Sequence, residues 1–131
     1  PLVNQTNNIK IVQDAMFSST NEIRGTSYKS RIDDKKYQFA GKTGTAQVKR
    51  ITEKDRDLDL ETSEIPYEER DHALYVAFGP YKNPRYAVSI LVEHGGSGSS
   101  VAAPLAKKLF KKIIDRHEIR KNFETKKYLN I

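Results

Sequence analysis

The stretch Ala40-Gly41-Lys42-Thr43-Gly44-Thr45-Ala46-Gln47-Val48 decides how the rest of the chain is read. It lies in a run, Tyr37–Val48, that reads as a strand with glycines at its centre. Gly41 and Gly44 present no side chain, so something is expected to pack closely against the backbone there. Two chemistries use such residues. Gly41-Lys42-Thr43 matches the end of a phosphate-cradling loop, but that signature needs a glycine five positions before Gly41, and Lys36 stands there. The other is a strand along which an extended peptide docks. There Gly44 lets the ligand approach, Thr43 and Thr45 offer hydroxyls to a carboxylate, and Lys42 supplies a positive charge.

Upstream, Ile9, Val12, Ala15 and Met16 recur at helical spacing and predict a helix over about 8–17. It is expected to fade at Ser18-Ser19-Thr20-Asn21, a cluster that favours caps and turns, before a loop at Gly25-Thr26-Ser27. Downstream, Lys49–Asp71 holds nine Asp/Glu against five Lys/Arg, with Pro66 inside it. A loop of that length is expected to be a lid or disordered, its acidic edge solvated.

The chain then turns strongly β. Leu74-Tyr75-Val76-Ala77-Phe78 alternates, with Leu74, Val76 and Phe78 on one face. Tyr81-Lys82-Asn83-Pro84-Arg85 is turn chemistry. Tyr86–Glu93 follows with Tyr86, Val88, Ile90 and Val92 on one face, which predicts an antiparallel hairpin over 74–93. Tyr75, Phe78 and Tyr86 are expected in the core or on a sheet face. After His94-Gly95-Gly96-Ser97-Gly98, Ser99 or Ser100 can cap a helix over 100–116. Val101, Leu105, Leu109 and Ile113, with Ala102, Phe110 and Ile114, would form its buried face, and Lys107, Lys108, Lys111 and Lys112 its wet one. The basic tail from 117 to 131 is expected to be a frayed helix or disordered. The whole predicts an α/β domain of the α+β type: three antiparallel strands with helices packed against them.

Composition excludes several function classes. The chain has 131 residues, 37% of them hydrophobic and 31% charged, which suits one domain or part of one. It has no cysteine, so neither disulfides nor thiolate metal sites arise. The three histidines show no metal-ligand spacing, and no metal or other cofactor is implied. A net charge of +6 is spread out and comes with no nucleic-acid signature.

Gly41–Gln47 closely resembles the Gly-Lys-Thr-Gly-Thr-Ala-Gln strand of the serine penicillin-recognising enzymes. Asp71–Pro80 resembles the next strand of class B penicillin-binding proteins. Asn83–Val88 resembles the turn and strand after it, and Gly95-Gly96 with Ala102-Ala103-Pro104 the loop and closing helix. Order and spacing agree over about residues 8–116, and Ile9–Gly25 resembles the elongation-type members, penicillin-binding protein 2. The resemblance implies the C-terminal portion of a D,D-transpeptidase domain that cross-links peptidoglycan stem peptides through an acyl-serine and binds β-lactams. Lys42, Thr43, Gly44 and Thr45 would line the substrate site, with the Thr45 backbone N–H as one oxyanion donor. It also implies a parent anchored in the bacterial inner membrane with this domain on the periplasmic side, and a membrane glycosyltransferase as partner. The nucleophile is expected upstream, because no serine in the chain has lysine three residues on. Ser19-Thr20-Asn21 mimics the family's Ser-x-Asn signature but stands too near the Lys-Thr-Gly strand, and capping explains it. Tyr81-Lys82-Asn83 mimics it likewise and fits a turn. A β-lactamase or penicillin sensor would share the Lys-Thr-Gly strand, and a non-catalytic basic binding module would need only the charge.

Overall fold

A computed structural model describes residues 6–49 and 60–129. Helix α1 spans Thr6–Asn21, β1 Ala40–Ala46, β2 His72–Gly79, β3 Tyr86–Val92 and helix α2 Ala103–Leu129. Single 3-10 turns lie at Tyr28–Ser30 and Tyr67–Glu69, and a π-helical turn at Gly98–Ala102 leads into α2. The strands form one antiparallel sheet in the order β1-β2-β3, with Gly41 opposite Ala77, Thr43 opposite Tyr75 and Tyr75 opposite Ile90. Among the described residues no helix is long and apolar enough to cross a membrane.

The buried face of the sheet carries small residues. Ala73, Tyr75 and Ala77 of β2 are buried, while Val76 on the opposite face is 46% exposed. The reason is α2, which meets the sheet through Ala102, Ala103, Ala106, Phe110 and Ile114. Alanines let the helix come close, and Phe110 fills the remaining space. Its ring stacks on Phe39 with centroids 5.0 Å apart, and Tyr75 stands edge-on to Phe39 at 6.4 Å. Of the face expected to be buried, Ala102, Phe110 and Ile114 are in the core and Val101 packs against it, whereas Leu105 and Leu109 are exposed, so the apolar face of α2 is turned partly away from the leucines.

Other boundaries differ for local reasons. Helix α1 continues through Asn21, where Asn21 Nδ2 donates back to the carbonyl of Phe17. Neither Ser99 nor Ser100 is a cap; both lie inside the π-helical turn. Strand β1 is shorter than Tyr37–Val48, since Tyr37 is tied into a turn by its N–H to Asp34 O. The tail does not fray at His117: α2 runs on to Leu129. The helix is pinned on both sides there. Tyr37 donates to the Asp115 carboxylate. Arg85 Nη1, which can only donate, lies 2.5 Å from His117 Nε2, so Nδ1 carries the ring proton and donates to Tyr86 OH at 2.7 Å. Of the long charged loop, residues 50–59 lie outside the described residues. Its ends are tied together by Lys49–Glu69 at 2.8 Å and by Val48 N–H to Asp71 Oδ1 at 3.2 Å.

A polar cluster is buried under the first half of β1. Thr20, Ser27 and Tyr75 are each at most 1% exposed. Tyr75 OH lies 2.9 Å from Thr20 Oγ1 and 3.1 Å from Ser27 Oγ. Burial raises the Tyr75 phenol above its ordinary range, so the group stays neutral. Its ring passes directly beneath Gly41, where a β-carbon would come within 2.3 Å of the hydroxyl and 2.4 Å of Cζ. Only glycine fits at 41.

Phe110→Ala is expected to cost about 3–5 kcal/mol, as for other fully buried phenylalanines. Gly41→Ala should cost about 1–3 kcal/mol by overpacking. Adding Tyr75→Phe should not restore it, because the ring itself blocks the new methyl. Urea unfolding of the protein carrying this chain reads all three variants.

Candidate active site

Among the described residues strand β1 is the edge of the sheet, paired with β2 on one side only. In an antiparallel ladder the two backbone groups of alternate residues point to the same side. Three contacts fix which residues face the free edge. Phe39 O accepts from Asn21 Nδ2 at 3.0 Å, Gly41 O accepts from Thr20 Oγ1 at 3.4 Å, and Thr43 O accepts from Lys42 Nζ at 2.7 Å. The odd-numbered residues of β1 thus turn N–H and C=O away from β2, and the period of two carries this on to Thr45.

The free edge is divided. Side chains at the end of α1 occupy its first half, at Phe39 and Gly41. Its second half, Thr43 and Thr45, has no α-helix against its edge among the described residues: Thr45 is exposed and Thr43 half-buried. Lys42 is also exposed, and its ammonium bends back to the Thr43 carbonyl. Lys42, Thr43, Gly44 and Thr45 therefore lie together on one short open segment. What approaches Gly44 is another backbone: Gly98, in the π-helical turn, lies against the main chain of Gly44 and Leu74. The second half of the strand is stiffened from behind while its edge stays open.

Ser19 and Thr26 belong to this surface too, although sequence reading gave them only turn and cap roles. Ser19 Oγ lies 3.1 Å from Thr26 Oγ1, which lies 3.2 Å from Thr43 Oγ1. Of the Ser19-Thr20-Asn21 triplet, Asn21 does tie a carbonyl of the last helical turn, that of Phe17, but the triplet also reaches beyond the helix. Its three side chains reach the loop, Gly41 and Phe39 respectively. Beside the edge runs a groove of about 610 Å³ between α1 and the sheet, with Ile11, Val12, Met16, Lys42 and Val76 in its walls. Ile11 and Val12 are more than half exposed.

The histidines stand apart from the open segment. His94, with φ of 54°, donates its backbone N–H to His72 Nδ1 at 3.0 Å, and its own Nδ1 must donate to the Arg70 carbonyl at 3.1 Å. Among the described residues no three His, Cys, Asp or Glu side chains gather as a metal site.

The chain is similar to known proteins over most of its length. The penicillin binding protein transpeptidase domain family matches residues 2–111. The peptidoglycan D,D-transpeptidase MrdA of Salmonella typhimurium is 37% identical over 105 residues, which is 80% of this chain and 16% of the relative. Its Haemophilus influenzae counterpart is 40% identical over 94 residues, 72% of this chain and 14% of the relative. The chain thus spans less than a fifth of these relatives. Among solved structures, the complex between penicillin-binding protein PBP2 and MreC from Helicobacter pylori aligns with TM-score 0.67 and 34% identity, covering 83% of this chain and 17% of that one. Pseudomonas aeruginosa PBP2 in complex with WCK 5153 aligns with TM-score 0.64 and 35% identity, covering 84% and 20%. On the family match and on relatives sharing over a third of aligned positions, the chain belongs to the penicillin-binding protein transpeptidase family.

Proposed function

We propose that this chain is the C-terminal, substrate-binding portion of a D,D-transpeptidase domain of the elongation type, and that β1 is the wall along which a peptidoglycan stem peptide docks. The open segment of β1 carries this reading. An edge strand with unpaired backbone groups takes an extended peptide as an added strand. Thr43 and Thr45 hydroxyls receive the terminal carboxylate, and Lys42 adds the charge that holds it. The Thr45 N–H, turned off the sheet by the alternation of β1, is one donor to the oxyanion formed during acyl transfer. The N–H of the nucleophilic serine is the other.

That serine belongs to a Ser-x-x-Lys outside these residues. Its oxygen adds to the carbonyl of the penultimate D-alanine, and the terminal D-alanine leaves as an amine carrying the proton. An amine of a neighbouring stem then attacks the acyl-serine, and serine regains its proton. β-Lactams acylate the same oxygen by ring opening. No cofactor is needed. The parent protein is placed on the periplasmic side of the bacterial inner membrane, working with a membrane glycosyltransferase. The apolar wall of the groove, with Ile11, Val12 and Val76, is where the preceding part of the domain packs. Left bare in an isolated fragment, it favours self-association.

The intact protein is expected to take a covalent label from a fluorescent penicillin, while isolated Pro1–Ile131 stays unlabelled. Lys42→Ala in the intact protein should slow labelling about 10- to 100-fold, the worth of a charge-assisted hydrogen bond. In-gel fluorescence over a time course measures all three. A labelled band from the isolated chain, or an unlabelled intact protein, refutes the assignment.

A further inference from the structure

We propose that Thr26 and Ser19 are positioning residues for Thr43, forming a hydroxyl chain that strengthens Thr43 as a donor to the substrate carboxylate. The inference rests on the function proposed above and deepens it. The three oxygens follow one another at hydrogen-bond distance: Ser19 Oγ to Thr26 Oγ1 is 3.1 Å and Thr26 Oγ1 to Thr43 Oγ1 is 3.2 Å. Each hydroxyl has one proton to give and can accept two. A carboxylate only accepts, so an anion at Thr43 takes the Thr43 proton. The Thr43 oxygen is then left to accept from Thr26, and Thr26 from Ser19. Lys42 Nζ, 3.4 Å from Thr43 Oγ1, can only donate and so favours the same direction. Every proton in the chain then points toward the anion, and hydrogen bonds so aligned polarise one another.

The fold holds this chain in place from the buried side. Gly25 lets the loop press onto the end of α1: a β-carbon there would come within 2.3 Å of the Ser19 carbonyl. That same carbonyl accepts from both the N–H and the Oγ of Ser27, each at 3.0 Å. Ser27 is in turn fixed by the buried Tyr75. Thr26 sits between Gly25 and Ser27, so its hydroxyl is held at β1 by a buried anchor although Thr26 itself is exposed.

The test uses the intact protein and two acylating agents, benzylpenicillin with its free carboxylate and the methyl ester of the same compound. Thr26→Val should weaken non-covalent binding of the free acid about three- to tenfold, the worth of one hydrogen bond. The acylation rate constant, and binding of the ester, should stay as in the wild type. Thr26→Ser should restore the free acid, and Ser19→Ala should weaken it in the same sense. Wild-type behaviour of Thr26→Val, or an equal loss for acid and ester, overturns the positioning role. A wild type that neither agent acylates overturns the underlying function and this inference with it.

Discussion

The phenol of Tyr75 is the contact on which the arrangement depends. It reaches from the middle of the central strand to the underside of Gly41 and meets there the hydroxyls of Thr20 and Ser27. One buried oxygen thereby joins the end of α1, the loop after it and the strand that bears the site. All three partners are dry, so each hydrogen bond is one that water cannot replace, and leaving one unmade is costly. Such a network specifies a single relative position for its members. The support beneath the edge of β1 is polar and fully satisfied, with no unpartnered buried side-chain atom among the described residues.

Behind this stands the apolar half of the core. Phe39 and Phe110 stack on one side of Tyr75, and the alanines of α2 bring the helix close enough for that stack to form. Among the described residues the sheet has three strands, and one face is partly exposed. Its coherence comes from pins at the rim as much as from area: Tyr37 to Asp115, Arg85 and Tyr86 to His117, and Tyr81 to Asp14 at 2.6 Å. In the last pair the Tyr81 hydroxyl holds the Asp14 carboxyl below its usual range.

How much of this was legible depended on the distance over which each residue acts. The hairpin and the Lys42–Thr45 strand were readable because alternation and turn residues are local signals. The rotation of α2 was not. Leucine spacing pointed to Leu105 and Leu109, whereas the sheet selected the alanines, whose value lies in how near they let a neighbour come. The residue types of Ser19, Thr20, Asn21 and Thr26 favour local bonds and so suggest only turns and caps. Their contacts to Thr43, Gly41, Phe39 and Tyr75 cross up to 55 positions of sequence, and no local pattern announces them. Gly41 was half legible: its lack of a side chain announced a close neighbour but could not name Tyr75.

The division of the β1 edge has a consequence beyond recognition. A bare edge strand invites the same strand of another molecule, which leads to sheet-by-sheet aggregation. Here Thr20 and Asn21 take up the carbonyls of Gly41 and Phe39, so an incoming strand finds no continuous ladder to join. The stretch left open is only a few residues long, too little to nucleate a shared sheet. The side chains of Thr20 and Asn21 thus act as a stop, setting how far along β1 any added strand can run.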